Sequence, residues 1–522
     1  MSHLPVLVAS SDLLPDGGPL NGRRSAGQTL LGLWSKYSAS NPLAVLASKD
    51  LRFKLEEYGR RSGHTGILNI LDFNKPEEIV PYGGLFLPDP SIGRWSQWRA
   101  SIGSASFSLI GQTHTLSTPA SMSLLKDLAV EPTKPWDALI CSSNAGKEVV
   151  ESVIEDTEQQ IFRNFSIQSQ AKTERPYLPV IPLPINTTYI RESLPSKNLA
   201  RNALGIDPNA HVALWLGRLS MLTKVDPWPT YLVLQQSALA LNKPLIFIEC
   251  GPDDTSHQAK HFQHLKSLCP NVQFLRVGGE KPVSEQLKFQ CIAASDIAVS
   301  LVDNTQETFG LSVAEAMAAG IPVVASDWNG YRDLVRDGID GFLIPTKWSP
   351  LAKEVSFRLG WASALGTISY PVAAGCLSQL VQIDLPAAVA AIIALFSQPA
   401  IHRAMGEAAK LRAEKEFSYD VVMKKYLDLF EILRERREAA SDQYLLPEKK
   451  SITIDPVTAF ASYPSLPSLD NNISFDLENH VSKIVKEARQ PLWDELIKAV
   501  PPSLLAKLEK ELLLKHQFKN LS

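Results

Sequence analysis

The chain has 522 residues, which on a scale of roughly 150 residues per domain calls for several domain-sized units and excludes a single small module. Hydrophobic residues at 45% and charged residues at 20% match ordinary soluble globular proteins and exclude disorder throughout. With 52 Lys and Arg against 55 Asp and Glu, the net charge of -3 leaves no global positive field to hold nucleic acid. The N-terminal third carries short apolar runs at Pro5–Ala9, Leu43–Ala47, Ile67–Leu71, Leu85–Leu87, Phe107–Ile110 and Ala138–Cys141. From about Ala210 the pattern sharpens, with runs at Val212–Leu216, Leu245–Ile248, Val272–Leu275, Ile297–Leu301, Ile321–Ala325 and Phe342–Ile344 separated by helix-length segments. Continuous apolar runs alternating with helices predict parallel sheets covered on both faces, hence two doubly wound α/β domains.

Prolines 179, 182 and 184 predict an extended crossing between the domains over Tyr177–Asn186. The resulting division is an N-terminal domain at 1–185, a second domain at 186–418, a long charged helix at 419–440, and a linker with a helical appendage at 441–522. The appendage is read from Pro447, Pro456, Pro464 and Pro467, followed by amphipathic patterns at Leu477–Val500 and Ser503–Phe518. Trp348–Asp384 reads as an insertion that can cover a cleft, bind an acceptor or mediate assembly. Five cysteines without a CxxC pair, Cys141, Cys250, Cys269, Cys291 and Cys376, predict buried free thiols in a reducing compartment and no zinc site. Pro5–Ala9 is too short for a signal core, and the apolar stretch Ala387–Phe396 is too short for a membrane span, so a cytoplasmic protein is expected, with peripheral membrane contact left open.

The densest chemical signal is Glu307-Thr308-Phe309-Gly310-Leu311 running on to Glu315, directly after the run Ile297–Leu301. Gly310 lets a backbone approach closely, and the helix formers after it predict a helix N-terminus whose free NH groups suit phosphate. Two carboxylates beside an anion site suit a ligand with many hydroxyls attached to phosphate. Taken singly, Glu315 equally fits a helix-dipole partner and Glu307 a solvated loop residue.

The spacing Glu307-x7-Glu315, with Phe-Gly-Leu after the first Glu and Glu-Ala-Met-Ala around the second, resembles the retaining glycosyltransferases of family four, which have the GT-B fold. Further motifs fall in that family's order. Gly217-Arg218-Leu219 followed by Lys224 resembles the cations that clamp the donor diphosphate. Gly251-Pro252 resembles the strand end beside the nucleotide. Asp16-Gly17-Gly18 resembles the N-domain glycine loop, and His114 in Gln112-Thr-His-Thr resembles the histidine facing the donor sugar. The resemblance implies an α/β GT-B architecture with two Rossmann-like domains facing a cleft. It implies a nucleotide sugar bound by the second domain and an acceptor, whether carbohydrate, lipid or protein, bound by the first. His114, Arg218, Lys224 and Glu307 are implied as catalytic residues. Gly17, Gly18, Gly251, Pro252, Thr308, Phe309, Gly310, Leu311 and Glu315 are implied as donor-binding, with Glu315 on ribose and Glu307 on the sugar. The 419–437 helix is implied to cross back onto the first domain. No metal or other cofactor is expected, because no Asp-x-Asp motif occurs and Arg218 with Lys224 can carry the positive charge.

Where many family members show Gly-Gly-x-Pro-Glu, this chain has Asn329-Gly330-Tyr331-Arg332-Asp333, leaving Asp333 a Glu's role with shorter reach or none. Rival readings are a phosphorylase or nucleotide-sugar epimerase on the same fold, and a non-catalytic carbohydrate-binding or scaffold protein assembling through its C-terminal helices.

Overall fold

The computed structural model describes residues 4–9, 14, 22–38, 41–166, 174–279, 283–448, 455–463, 500 and 502–507. β1 (Val6–Val8), β2 (Leu43–Leu46), β3 (Leu68–Leu71), β4 (Gly84–Leu87), β5 (Ser108–Gln112) and β6 (Ala138–Ile140) form a parallel sheet in the order β3-β2-β1-β4-β5-β6. β7 (His211–Leu216), β8 (Leu245–Pro252), β9 (Val272–Gly279), β10 (Ile297–Ser300), β11 (Val323–Ser326) and β12 (Gly341–Ile344) form a second, ordered β12-β11-β10-β7-β8-β9. Traced from β9, this second order repeats the first strand for strand. The architecture is the two-domain α/β fold expected from the alternating runs.

Each sheet is covered on both faces, which is why its strands read as unbroken apolar runs. In the first, adjacent residues point to opposite sides: Leu7, Phe86, Ile110 and Ile140 join one buried cluster, while Val6, Leu85, Leu109 and Leu139 join another. Several helices begin where a side chain can satisfy their first NH groups. Ser143 caps Asn144–Phe165, Thr118 caps Pro119–Val130 and Asp226 caps Pro227–Leu241. Ile321 and Pro322 precede β11 instead of opening it; Pro322 has no NH to give, and its carbonyl accepts from Ala298 at 3.0 Å.

The proline-punctuated crossing lies extended along β6, with Leu139 NH donating to Tyr177 O at 2.9 Å and Ile181 NH to Cys141 O at 3.0 Å. Such an edge tolerates proline. The chain returns through the helix Tyr419–Glu438, whose Val422, Met423, Tyr426, Leu429 and Leu433 close the first domain's core. Tyr426 accepts a hydrogen bond from Gln112 Nε2 at 3.1 Å.

Thr346–Trp348 (β13) pairs antiparallel with Val381–Ile383 (β14), so the insertion leaves and rejoins the domain at one point. Between them lie the helices Ala352–Ala364 and Tyr370–Ser378. Cys376 sits exposed on the second of these, contrary to the expectation of five buried thiols, because that helix turns Ala373, Ala374 and Gly375 inward instead. The segment after 440 is more than a linker. Tyr444 packs edge-on against Trp136 at 5.3 Å, and its carbonyl accepts from Ala105 NH at 2.8 Å. Of the two expected appendage helices, 477–499 lies outside the described residues, and the second is described only as the helical turn 502–507. Among the described residues no single helix is long and apolar enough to cross a membrane.

Candidate active site

In each sheet the first and fourth strands lie side by side at the centre, where the strand order reverses; a crevice opens beyond their carboxyl ends. In the second sheet these strands are β7 and β10, paired Ala298 to Leu214. β7 runs into Gly217-Arg218, and β8 ends in Gly251-Pro252. A Cβ on Gly251 would lie 2.0 Å from Gly217 O, so the two strand ends meet backbone to backbone and tolerate only glycine there. Leu219 NH donates to Pro252 O at 2.9 Å and fixes that meeting.

The loop from Ser220 to Asp226 brings Lys224 back over Gly217. It is gripped by the residues that follow β10. Asn304 Nδ2 donates to Leu222 O at 3.1 Å, and Asp226 NH donates to Asp303 Oδ1 at 3.2 Å. Asp303 is buried, and that burial pushes its carboxyl up to about 8, aided by the nearby Asp226 carboxylate. Lys224 Nζ reaches Glu307 Oε2 at 2.5 Å. Burial raises the Glu307 carboxyl, but the Lys224 ammonium and the NH groups of Phe309 and Thr308 outweigh it, leaving Glu307 below the usual carboxylate range. Asn329 Nδ2 donates to Glu307 O at 2.7 Å and pins the loop from the β11 side.

Gly310 has φ of +108°, and a Cβ there would lie 2.3 Å from the ring of buried Tyr331, so the tight entry into the helix Leu311–Ala318 requires glycine. Thr308 and Leu311 are half-buried beside this entry. The Phe309 ring packs edge-on against Phe417 at 6.0 Å, inside the core, so only its backbone faces the loop. Glu315, one turn along, pairs with Lys288 at 3.0 Å. Burial disfavours the Lys288 charge, yet Glu315 outweighs it and raises the ammonium's pKa. Arg218 makes a longer, 3.6 Å contact with Asp254 and stays partly open.

The structure therefore gathers Arg218, Lys224, Gly251, Pro252, Glu307, Thr308, Gly310, Leu311 and Glu315 at one edge of one sheet. His114 follows β5 in the other domain, half-buried, three residues before Ser117, whose Oγ meets Tyr370 OH of the insertion at 2.7 Å. Gly17 and Gly18 lie outside the described residues. Asp333 turns away from this cluster. Its carboxylate accepts from Asn144 NH at 2.6 Å and Asn144 Nδ2 at 2.9 Å, at the positive end of a first-domain helix. Lys288, Asn304 and Asn329 escape a reading of the sequence. Asn304, directly behind a buried strand, carries a positional hint; Lys288 sits in an unremarkable helix with none.

Residues 200–358 match the family described as Glycosyl transferases group 1. That match lies within the second domain and the start of the insertion. The D-inositol 3-phosphate glycosyltransferase of Mycolicibacterium gilvum is 32% identical over 164 residues, 30% of this chain and 34% of that protein. Its counterpart from Streptosporangium roseum is 23% identical over 280 residues, 52% of this chain and 59% of that protein. The chain thus spans between about a third and three-fifths of the length of these curated relatives. Among solved structures, Anabaena Alr3699/HepE in complex with UDP is 15% identical with a TM-score of 0.51, over 82% of this chain and 100% of that one. The sucrose-phosphate synthase of Thermosynechococcus elongatus is 15% identical with a TM-score of 0.50, over 83% and 100%. These similarities show the GT-B fold. The group 1 match begins before β7 and ends inside the insertion, so it contains every cation and carboxylate of the cluster described above.

Proposed function

We propose that the protein transfers a sugar from a nucleoside-diphosphate sugar to an acceptor hydroxyl with retention of anomeric configuration. The observation that carries this reading is the Lys224–Glu307 pair, 2.5 Å long, which joins the loop after β7 to the loop after β10 across the point where the strand order reverses. It places a cation and a carboxylate together where a group 1 domain offers a crevice, with Arg218 beside them.

Cleaving the bond between the anomeric carbon and the phosphate oxygen leaves the electron pair on the diphosphate. Arg218 and Lys224 stabilise that charge as it develops, Arg by a planar bidentate grip and Lys as a mobile point charge. Glu307 accepts from sugar hydroxyls, Glu315 from the ribose, and His114 faces the sugar from the first domain. No carboxylate is placed as a nucleophile in this scheme. The acceptor oxygen bonds to the anomeric carbon on the face the phosphate leaves, and the departing phosphate oxygen takes the hydroxyl proton. Because two fixed cations neutralise the diphosphate, the reaction is expected to survive chelation of divalent metal.

HepE has been crystallised with UDP-glucose, which makes UDP-glucose the first donor to test. The experiment mixes protein and donor with and without an acceptor panel, follows free UDP, and determines the product anomer by NMR. Release of UDP only with acceptor, and an axial product from an axial donor, supports the reading. Sugar 1-phosphate formed on adding inorganic phosphate, or an epimer formed without acceptor, would replace it with a phosphorylase or an epimerase.

A further inference from the structure

The insertion between β13 and β14 carries its apolar residues on the wrong side for a globular domain. A surface helix normally turns its apolar stripe to the core. In Ala352–Ala364 only Ala352 is buried. Phe357 and Trp361 stand one turn apart on the outer face, their rings edge to face at 6.3 Å, and Leu365 continues the line at the next turn. These three are 68%, 55% and 70% exposed. Trp348, which leans on Trp328 at 5.2 Å and is still 45% exposed, extends the patch towards β13. Within 347–365 stand the exposed Lys347, Lys353 and Arg358 against the single acid Glu354, which lies 3.6 Å from Arg358, a net of two positive charges in a chain whose net charge is -3.

We propose that this face docks on an anionic lipid bilayer. Aromatic and leucine side chains rimmed by Lys and Arg are the composition of helices that lie in the membrane interface, where Trp rings settle at the headgroups. The local excess of basic residues selects an anionic surface. A second copy of the chain fits less well, since a two-fold contact through this helix brings two copies of one locally basic surface together.

The position of the face adds to the inference. The neighbouring helix Tyr370–Ser378 holds both walls of the cleft: Tyr370 OH meets Ser117 Oγ at 2.7 Å, and Ser378 Oγ accepts from Asn304 Nδ2 at 3.0 Å. Asn304 in turn holds the loop that bears Lys224. A docked insertion therefore sets the mouth of the cleft against the membrane, and in the transferase reading above the acceptor it reaches is lipid-borne. Docking itself does not depend on that reading.

The test is flotation of the full chain with vesicles of phosphatidylcholine alone and of phosphatidylcholine mixed with phosphatidylglycerol, with no donor present and no turnover measured. The full chain is expected to float with the anionic vesicles and less in high salt. Replacing both Phe357→Ser and Trp361→Ser is expected to cut the partition at least about tenfold, since each buried ring contributes strongly. Lys353→Glu is expected to cut it about fivefold or more. These side chains are exposed, so the variants should melt as the parent does. Absence of flotation by the parent, or equal flotation by the double variant, overturns the proposal. So does a parent that light scattering shows to be dimeric and that Phe357→Ser with Trp361→Ser makes monomeric, without vesicle binding by either; that result assigns the face to a second copy.

Discussion

In the first domain β1 and β4 adjoin at the centre of the sheet, as β7 and β10 do in the second, and both sheets follow the same strand order. The two differ in the charge they place at the crevice beyond those strands. In the first domain buried charge stays inside: Arg99 and Asp137, both fully buried, satisfy each other, and Asp137 also accepts from the NH groups of Leu109 and Lys134 at 2.9 and 2.8 Å. The second domain has such an interior pair too, Glu249 with Lys266 at 2.5 Å, but it also collects charged side chains at the crevice, Lys224 on Glu307 and Lys288 on Glu315. A doubly wound order supplies a crevice in both cases, but loop composition decides whether ligand chemistry is placed there.

Substitutions can break this contrast. Asp137→Ala leaves Arg99 as an uncompensated buried charge and is expected to cost about 3–5 kcal/mol of stability, read by urea unfolding, while molecules that remain folded bind nucleotide normally. A loss well under that range, or a selective loss of nucleotide binding, would show the first domain's charge pair to be something other than structural. Lys224→Ala and Arg218→Ala are expected to lower turnover on the order of 100-fold, about 2.7 kcal/mol, with smaller changes in melting temperature. Near-normal turnover in both at saturating donor would remove the diphosphate clamp from the proposal.

The glutamates sharpen the comparison within the second domain. By calorimetry with UDP alone, Glu315→Gln is expected to weaken binding about tenfold, the loss of a charged hydrogen bond, and Glu307→Gln to spare it while damaging transfer. Equal losses would merge the two roles.

A pH dependence tests Asp303, whose carboxyl group holds the Lys224 loop at Asp226 NH. Its carboxyl is raised to about 8 in the folded chain and returns to about 3.9 when unfolded, so the native state holds a proton that the unfolded state has released. Its contribution to stability is complete below pH 4 and is lost as pH rises towards and through 8. The melting temperature should therefore fall between pH 6 and 9, and Asp303→Asn should flatten that fall. A parent curve that is flat across this interval would argue against a protonated Asp303.

The legible parts of the site lie where one backbone event and one side chain coincide in sequence. Gly251-Pro252 and Gly310 mark a strand end and a helix entry at which only glycine clears a neighbouring backbone or ring, Gly217-Arg218 marks a strand end at a φ of +142°, and such constraints show as local motifs. Phe309 stands in the same motif, yet its ring belongs to the core, because motif membership does not say which way a side chain points. Asn304 and Lys288 act on partners 82 and 27 residues away in the chain, and no local spacing signals such a contact.

By itself the sequence determined the alternating strands and helices, the two domains and the carboxylates near a helix entry, because periodicity and glycine placement are local consequences of backbone geometry. Tertiary structure alone decided that Lys224 meets Glu307 across the centre of the sheet, that Asp333 reaches the first domain, and that Phe357 and Trp361 face outward. A stripe of apolar residues on a helix looks the same in sequence whether it faces core or solvent, and only the packing of the neighbouring helix chooses between them.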